Sequence, residues 1–202
     1  MPISPQFTKC LFEPEDLVEV RLLPSKVSRF ARASKLHLLD PYLAEQNAAG
    51  QNIYVGANPR IREGGKTSDV SHARCLFVDI DHATVQEALR RVREACLPTP
   101  TCTLNSGHGV HLYWRLAEPG NDLEAWTQAQ KAVIAALGSD KAIHDPSRIM
   151  RLPEFMNCKN SPVPCKVAEA DPDRRYCLKD LVCDRQDVAE KQSLRSHDSK
   201  YL

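Results

Sequence analysis

The sequence predicts an α+β domain: a largely antiparallel sheet of four or more strands, with helices on one face and a polar site on the other. Three observations carry this. The stretch Cys75-Leu76-Phe77-Val78-Asp79-Ile80-Asp81 reads as a buried strand that ends in two carboxylates. The runs Thr101–Leu104 and Val110–Leu116 flank Asn105-Ser106-Gly107-His108-Gly109, which makes them a hairpin with a glycine-rich tip. Two helical stripes, one after Thr84 and one after Asn121 or Asp122, have the amphipathic spacing of helices that bury one face.

In chain order, Leu17, Val18, Val20 and Leu22 favour a strand over Asp16–Leu23, which Pro24 closes. Ser25 is positioned to cap a helix that begins near Lys26 and runs through Phe30 and Leu36. Pro41 breaks or restarts that helix, and it ends near Gly50. Asn52–Val55 is a short strand, and Gly56–Lys66, GANPRIREGGK, is a loop. After the Asp79/Asp81 strand, Thr84-Val85-Gln86-Glu87 is a capping box, followed by Ala88, Leu89, Val92 and Cys96 at helical spacing until Pro98. Beyond the hairpin, Leu123, Trp126, Val133, Ile134 and Leu137 make the second stripe, and Gly138 stops it. Pro146 and Pro153 restrict the next stretch to turns and short elements. Val163–Ala168 reads as a strand and Leu178–Val182 as a short helix. From Asp184 onward the sequence is polar and aperiodic, so a folded domain is expected over residues 1–183, with a polar tail or linker over 184–202.

Composition excludes little. The chain has 202 residues and a formal net charge of +1, so any nucleic-acid surface must be a local patch. No apolar run approaches the length of a membrane span, and Met1–Glu13 lacks the pattern of a secretory signal. A cytoplasmic location is therefore expected, with the eight cysteines as reduced thiols. Cys158, Cys165, Cys177 and Cys183 contain no CxxC pair, so structural zinc is not expected.

Three clusters carry chemistry. Side chains alternate along a strand, so Phe77, Asp79 and Asp81 share the face opposite Leu76, Val78 and Ile80. Two carboxylates about 6 Å apart repel by roughly 3 kcal/mol at an effective dielectric near 20. A divalent cation such as Mg²⁺ or Mn²⁺ relieves that repulsion and suits hard oxygen ligands. In the hairpin, Gly107 and Gly109 let backbone approach a phosphate, and His111 shares a face with Tyr113 and Arg115. His108, at the loop tip, is read as facing solvent. The third cluster, Asp145, Arg148, Arg151, Asn157 and Lys159, supplies one acid and several polar or cationic groups. Each cluster alone has a plainer reading: a helix-capping aspartate, a satisfied strand histidine, a solvated basic face. Together they supply the separate and shared carboxylates of two-metal phosphoryl chemistry.

In this order the motifs resemble the archaeo-eukaryotic primase superfamily, which includes primase-polymerases, and most of all the RepB-like primase domains of plasmid and phage replication proteins. The resemblance rests on Asp79-Ile80-Asp81, Ser106-Gly107-x-Gly109-x-His111, and Asp145 followed by Arg148-Ile149-Met150-Arg151-Leu152-Pro153 with Asn157 and Lys159. Val18-Glu19-Val20-Arg21 and Asn52-Ile53-Tyr54-Val55-Gly56-x-Asn58-Pro59-Arg60 add to it, so that it spans roughly residues 11 to 166. It implies a primase or primase-polymerase catalytic core over residues 1–183, with Asp79, Asp81 and Asp145 as catalytic metal ligands for two ions, Mg²⁺ or Mn²⁺. It implies that Ser106, the Gly109 backbone, His111, Arg148, Arg151, Asn157 and Lys159 bind the incoming nucleotide. It also implies nucleoside triphosphates and a single-stranded DNA template as partners, with a replicative helicase in cis or in trans. Glu154 stands where that family commonly has glycine.

Arg60, Arg62, Lys66 and Arg74 are candidates for the single-strand path because they concentrate positive charge in a nearly neutral chain. Two other readings compete. A metal-dependent nuclease or relaxase would use the same acids and a histidine, but a relaxase also needs a nucleophilic tyrosine, and Tyr42, Tyr54 and Tyr113 lie in expected regular structure. A non-catalytic single-strand binder would stack bases on exposed aromatics, which are sparse, and leaves the three acids unexplained.

Overall fold

The computed structural model describes residues 2–159 and 161–182; the expected tail, 184–202, and Cys183 lie outside the described residues. The elements are α1 (Pro5–Leu11), β1 (Leu17–Leu23), β2 (Ser28–Arg32), α2 (Asp40–Ala48), β3 (Asn52–Gly56), β4 (Ala73–Asp81), α3 (Val85–Glu94), β5 (Cys102–Asn105), β6 (Gly109–Gly120), α4 (Leu123–Leu137), β7 (Ile149–Arg151), β8 (Met156–Asn157), β9 (Val163–Pro164) and β10 (Lys166–Ala170). Short 3₁₀ turns cover Ala33–Leu39, Thr67–Asp69 and Leu178–Leu181.

The α+β class is as expected, with every pairing between named strands antiparallel. The strands form two four-stranded sheets. The first has the order β2-β1-β3-β7 and the second β10-β5-β6-β4, with β8 and β9 as a small separate ribbon. Among the described residues, no helix is long and apolar enough to cross a membrane.

Several local expectations follow their stated causes. Thr84 caps α3 by accepting from the Glu87 N–H, and Asp122 caps α4 by accepting from Glu124 and Ala125. Gly138 ends α4 in the left-handed conformation at φ 61°. The helix expected from Lys26 through Leu36 is corrected. Ser28–Arg32 is instead a strand paired with β1 from Leu17↔Arg32 to Arg21↔Ser28, and Leu22 N–H closes the turn on Val27 C=O at 2.8 Å. The backbone of β1 needs a partner on that side, and pairing outweighs the helical spacing of the apolar residues. Helix resumes in the 3₁₀ turn and α2, with Pro41 in its first turn where a missing N–H costs nothing.

The second sheet is covered unevenly. Leu76, Val78, Ile80, Leu112 and Trp114 are fully buried on its outer side, and Trp114 Nε1 donates to Pro98 C=O at 2.8 Å. α4 seals the β4 edge. Gln130 donates to Phe77 C=O and accepts from Phe77 N–H, and Trp126 Nε1 donates to Cys75 C=O at 3.0 Å. The helices are not confined to one face. Phe77, Tyr113 and Arg115 point to the same side as Asp79 and are also buried. α1 lies over them: Phe7 meets Tyr113 edge-on at 5.9 Å, and Arg115 donates to Leu11 C=O and Glu13. Among the described residues, the end of this face that carries Asp79, Asp81 and His111 opens into a cleft.

Candidate active site

The cleft has a volume of about 250 Å³ and takes its walls from both sheets. The first sheet supplies Tyr54, Ile149 and Arg151, and the second supplies Asp79, Asp81 and His111. Ser106 and His108 of the hairpin, Asn157 of β8 and Lys159 just beyond it, and Asp140 and Arg148 of the loop before β7 also line it.

Strand register sets the acid side. Asp79 faces His111 across the β4–β6 ladder, and Asp81 faces Gly109. A Cβ at position 109 would come within 2.5 Å of Ile80 C=O, so only glycine lets the hairpin close on β4. Gly107 turns the tip at φ 91° and packs where a Cβ would meet Val163 at 2.4 Å. His111 Nε2 lies 3.5 Å from Asp79 Oδ2, and its Nδ1 lies 3.4 Å from Tyr113 Oη. Burial pushes the Tyr113 phenol well above its ordinary range, so it stays protonated. The Nδ1 edge of His111 is thus taken up by Tyr113, and its Nε2 edge faces Asp79 at the cleft. Burial raises the Asp79 pKa, but the charge and hydrogen bonding of His111, and then Arg151 and Lys159, outweigh it and hold the carboxyl below its ordinary value. Asp79 is therefore an anion among cations at neutral pH.

Hydrogen bonds hold the cationic side. Arg151 Nη1 donates to Asn52 Oδ1 at 2.7 Å, and its guanidinium lies 5.0 Å from the Tyr54 ring centroid. Asn157 Nδ2 donates to Ser106 C=O at 2.9 Å, while its Oδ1 accepts from Lys159 N–H at 3.1 Å. The Lys159 side chain is exposed, and its C=O lies 3.1 Å from His108 Nε2.

Most residues expected in the site do meet here: Asp79, Asp81, Ser106, His111, Arg148, Arg151, Asn157 and Lys159 line one cleft. Asp145 does not line it. Its carboxylate accepts from Ser147 Oγ at 2.7 Å and faces Arg148 Nε at 3.3 Å. Among the described residues, no group of three or more His, Cys, Asp or Glu side chains is gathered at metal-ligand spacing. Asp79 and Asp81 thus suit one Mg²⁺ or Mn²⁺ that keeps water ligands and takes oxygens from a phosphate. Asp145, the third acid that the resemblance implies, is outside this lining and is engaged by Ser147 and Arg148, whereas Asp140 lies within it.

The single-strand candidates divide. Arg60 is corrected: it is 3% exposed, with Nη2 2.9 Å from Glu19 Oε2, and it also donates to the Asn58 and Ser147 carbonyls. Arg74 is also largely covered, clamped on Asp16 by two hydrogen bonds of 2.8 and 2.9 Å. Arg62, beside Asp69, and Lys66 are exposed.

The cleft includes residues to which the sequence assigns no role in the site. His108 lines it rather than pointing away. Asp140 enters from a loop with no motif around it, and its N–H reaches Asp79 C=O at 3.2 Å. Tyr54 lines the cleft as well, and Asn52, on the same face of β3 by period-two alternation, reaches it only through its hydrogen bond from Arg151.

No family model matches the chain. A replication protein of Clostridium perfringens is 25% identical over 142 residues, which are 64% of this chain and 35% of that protein. The chain thus spans about a third of the length of that curated relative. Among solved structures, the AEP domain of the cyanophage S-2L primase-polymerase superposes with a TM-score of 0.70 at 20% identity, covering 87% of this chain and 91% of that one. The catalytic domain of primase RepB′, solved in complex with initiator DNA, gives 0.65 at 17% identity, over 95% and 94%. The fold is therefore that of primase-polymerase catalytic domains. A second structure of primase RepB′ gives a TM-score of 0.64 at 16% identity, over 96% of this chain and 64% of that one.

Proposed function

We propose that this chain is the catalytic domain of a DNA primase or primase-polymerase, which extends a primer or a first nucleotide along single-stranded DNA. The observation that carries the reading is that one cleft brings an acid pair, Asp79 and Asp81, together with the cations Arg151 and Lys159, with His111 beside Asp79. The 3′-hydroxyl of the growing strand attacks the α-phosphate of a nucleoside triphosphate, forming the new phosphodiester bond as pyrophosphate leaves. Arg151, Lys159 and His111 bind the triphosphate oxygens and offset charge as it shifts toward the leaving group. Asp79 and Asp81 would hold a divalent cation, Mg²⁺ or Mn²⁺, which supplies activation of the attacking hydroxyl and neutralisation at the reacting phosphate.

The test is primer synthesis on a single-stranded template with labelled nucleotides. New labelled products support the reading, a shortened template points to a nuclease, and neither outcome leaves a binding module. Asp79→Asn is expected to abolish synthesis in a folded protein; normal synthesis by that variant in saturating Mg²⁺ or Mn²⁺ refutes the assignment. His111→Ala is expected to weaken nucleotide affinity roughly ten- to hundredfold, the value of a hydrogen bond to a charged group. Template affinity should be retained.

A further inference from the structure

Arg151 and Tyr54 face each other across the β3–β7 ladder. Asn52, two residues before Tyr54, lies on the same face of β3. The Asn52 Oδ1 accepts twice, from Arg151 Nη1 at 2.7 Å and from Cys158 N–H at 2.8 Å. A carboxamide oxygen has two lone pairs, and here both are used. One atom thus ties the arginine to the turn that bears Asn157 and Lys159. The same turn is gripped from α2, where Asn47 donates to Met156 C=O at 2.9 Å and accepts from Met156 N–H at 2.8 Å. Its far side reaches the hairpin through Asn157 and Ser106. The first sheet and the glycine hairpin are joined by this polar frame, with the cationic wall of the cleft built on it.

We propose that Asn52 and Tyr54 are positioning residues for triphosphate binding: the Asn52 oxygen and the Tyr54 ring fix the Arg151 guanidinium, and Asn52 sets the Asn157–Lys159 turn in register with it. The role rests on the reading of the cleft as a triphosphate site. A free arginine side chain gives up much rotamer freedom when it binds, whereas one already clamped gives up little. Removing either clamp leaves the charge in place and takes away its fixed direction.

The variants are Asn52→Leu, which keeps the shape and loses the acceptor; Tyr54→Leu, which loses the ring face; and Tyr54→Phe, which keeps it. Two properties are read on each: affinity for a non-hydrolysable deoxynucleoside triphosphate in Mg²⁺, and the Arg151 Nε–Hε NMR signal, assigned with Arg151→Lys. In the wild-type protein that signal should be distinct and slow to exchange. Asn52→Leu and Tyr54→Leu should shift it to the free-arginine position and weaken nucleotide affinity roughly tenfold. Tyr54→Phe should restore both. In an Arg151→Ala background, Tyr54→Leu should cause no further loss; additive losses overturn the proposal, as does wild-type affinity in either leucine variant. Tyr54→Leu and this cycle carry the test should Asn52→Leu not fold. Wild-type protein that binds no nucleotide while its Arg151 signal stays ordered overturns the triphosphate reading and the positioning role with it. Nucleotide binding that ignores the clamp overturns the positioning role alone.

Discussion

Glu154 adopts φ 72°, in the left-handed region that side chains disfavour, while its N–H is fixed to Cys165 C=O at 2.8 Å. A side chain there costs about 1–2 kcal/mol, and glycine's greater freedom in the unfolded chain returns part of that difference. Glu154→Gly is therefore expected to stabilise the fold by about 0.5–1 kcal/mol, read as a higher urea midpoint at unchanged slope. Glu154 is not among the residues lining the cleft, so nucleotide affinity should not change. A lower midpoint would contradict the strain argument. The legibility of the site varied by residue for related reasons. Asp79, Asp81 and His111 could be placed from sequence because strand alternation is a local rule. Arg60 and Arg74 could not, because Glu19 and Asp16, the partners that remove them from the surface, lie 41 and 58 residues away. The Asp145 carboxylate was likewise set by Ser147 and Arg148, through contacts that no motif spells out.

Among the elements, the loop between β3 and β4 separates charges that its composition made look alike. Arg62 and Lys66 are its exposed cations, whereas Arg60 belongs to the fold. Replacing Arg62 and Lys66 with glutamine should reduce the salt dependence of single-strand binding. A slope change of about 1.4 is expected if each releases its share of counterions from a single strand. Arg60→Met should instead leave that slope alone and cost about 3 kcal/mol of stability, since Glu19 loses a buried partner. An unchanged slope in the double variant would make the loop ordinary surface. The helices bounded by Thr84, Asp122 and Gly138 were legible because caps are encoded within a few residues. Ser28–Arg32 was not, because its strand character comes from the open edge of β1. A helical spacing of apolar residues could not reveal that partner.

For the molecule as a whole, the order in which the chain visits the two sheets matters most. β1 to β3 build the first, β4 to β6 build the second, β7 returns to the first and β10 ends in the second. The last stretch is therefore a seam sewn through both halves, and β7 cannot leave β3 without disturbing the turn that Asn157 fastens to Ser106. Two layers laced in this way share one unfolding event. Calorimetric and van't Hoff enthalpies should agree within error, whereas a ratio near two would mean that the sheets melt separately. The site lies along the lacing, so its acid wall and its cationic wall should gain and lose protection from hydrogen exchange together, as one cooperative unit.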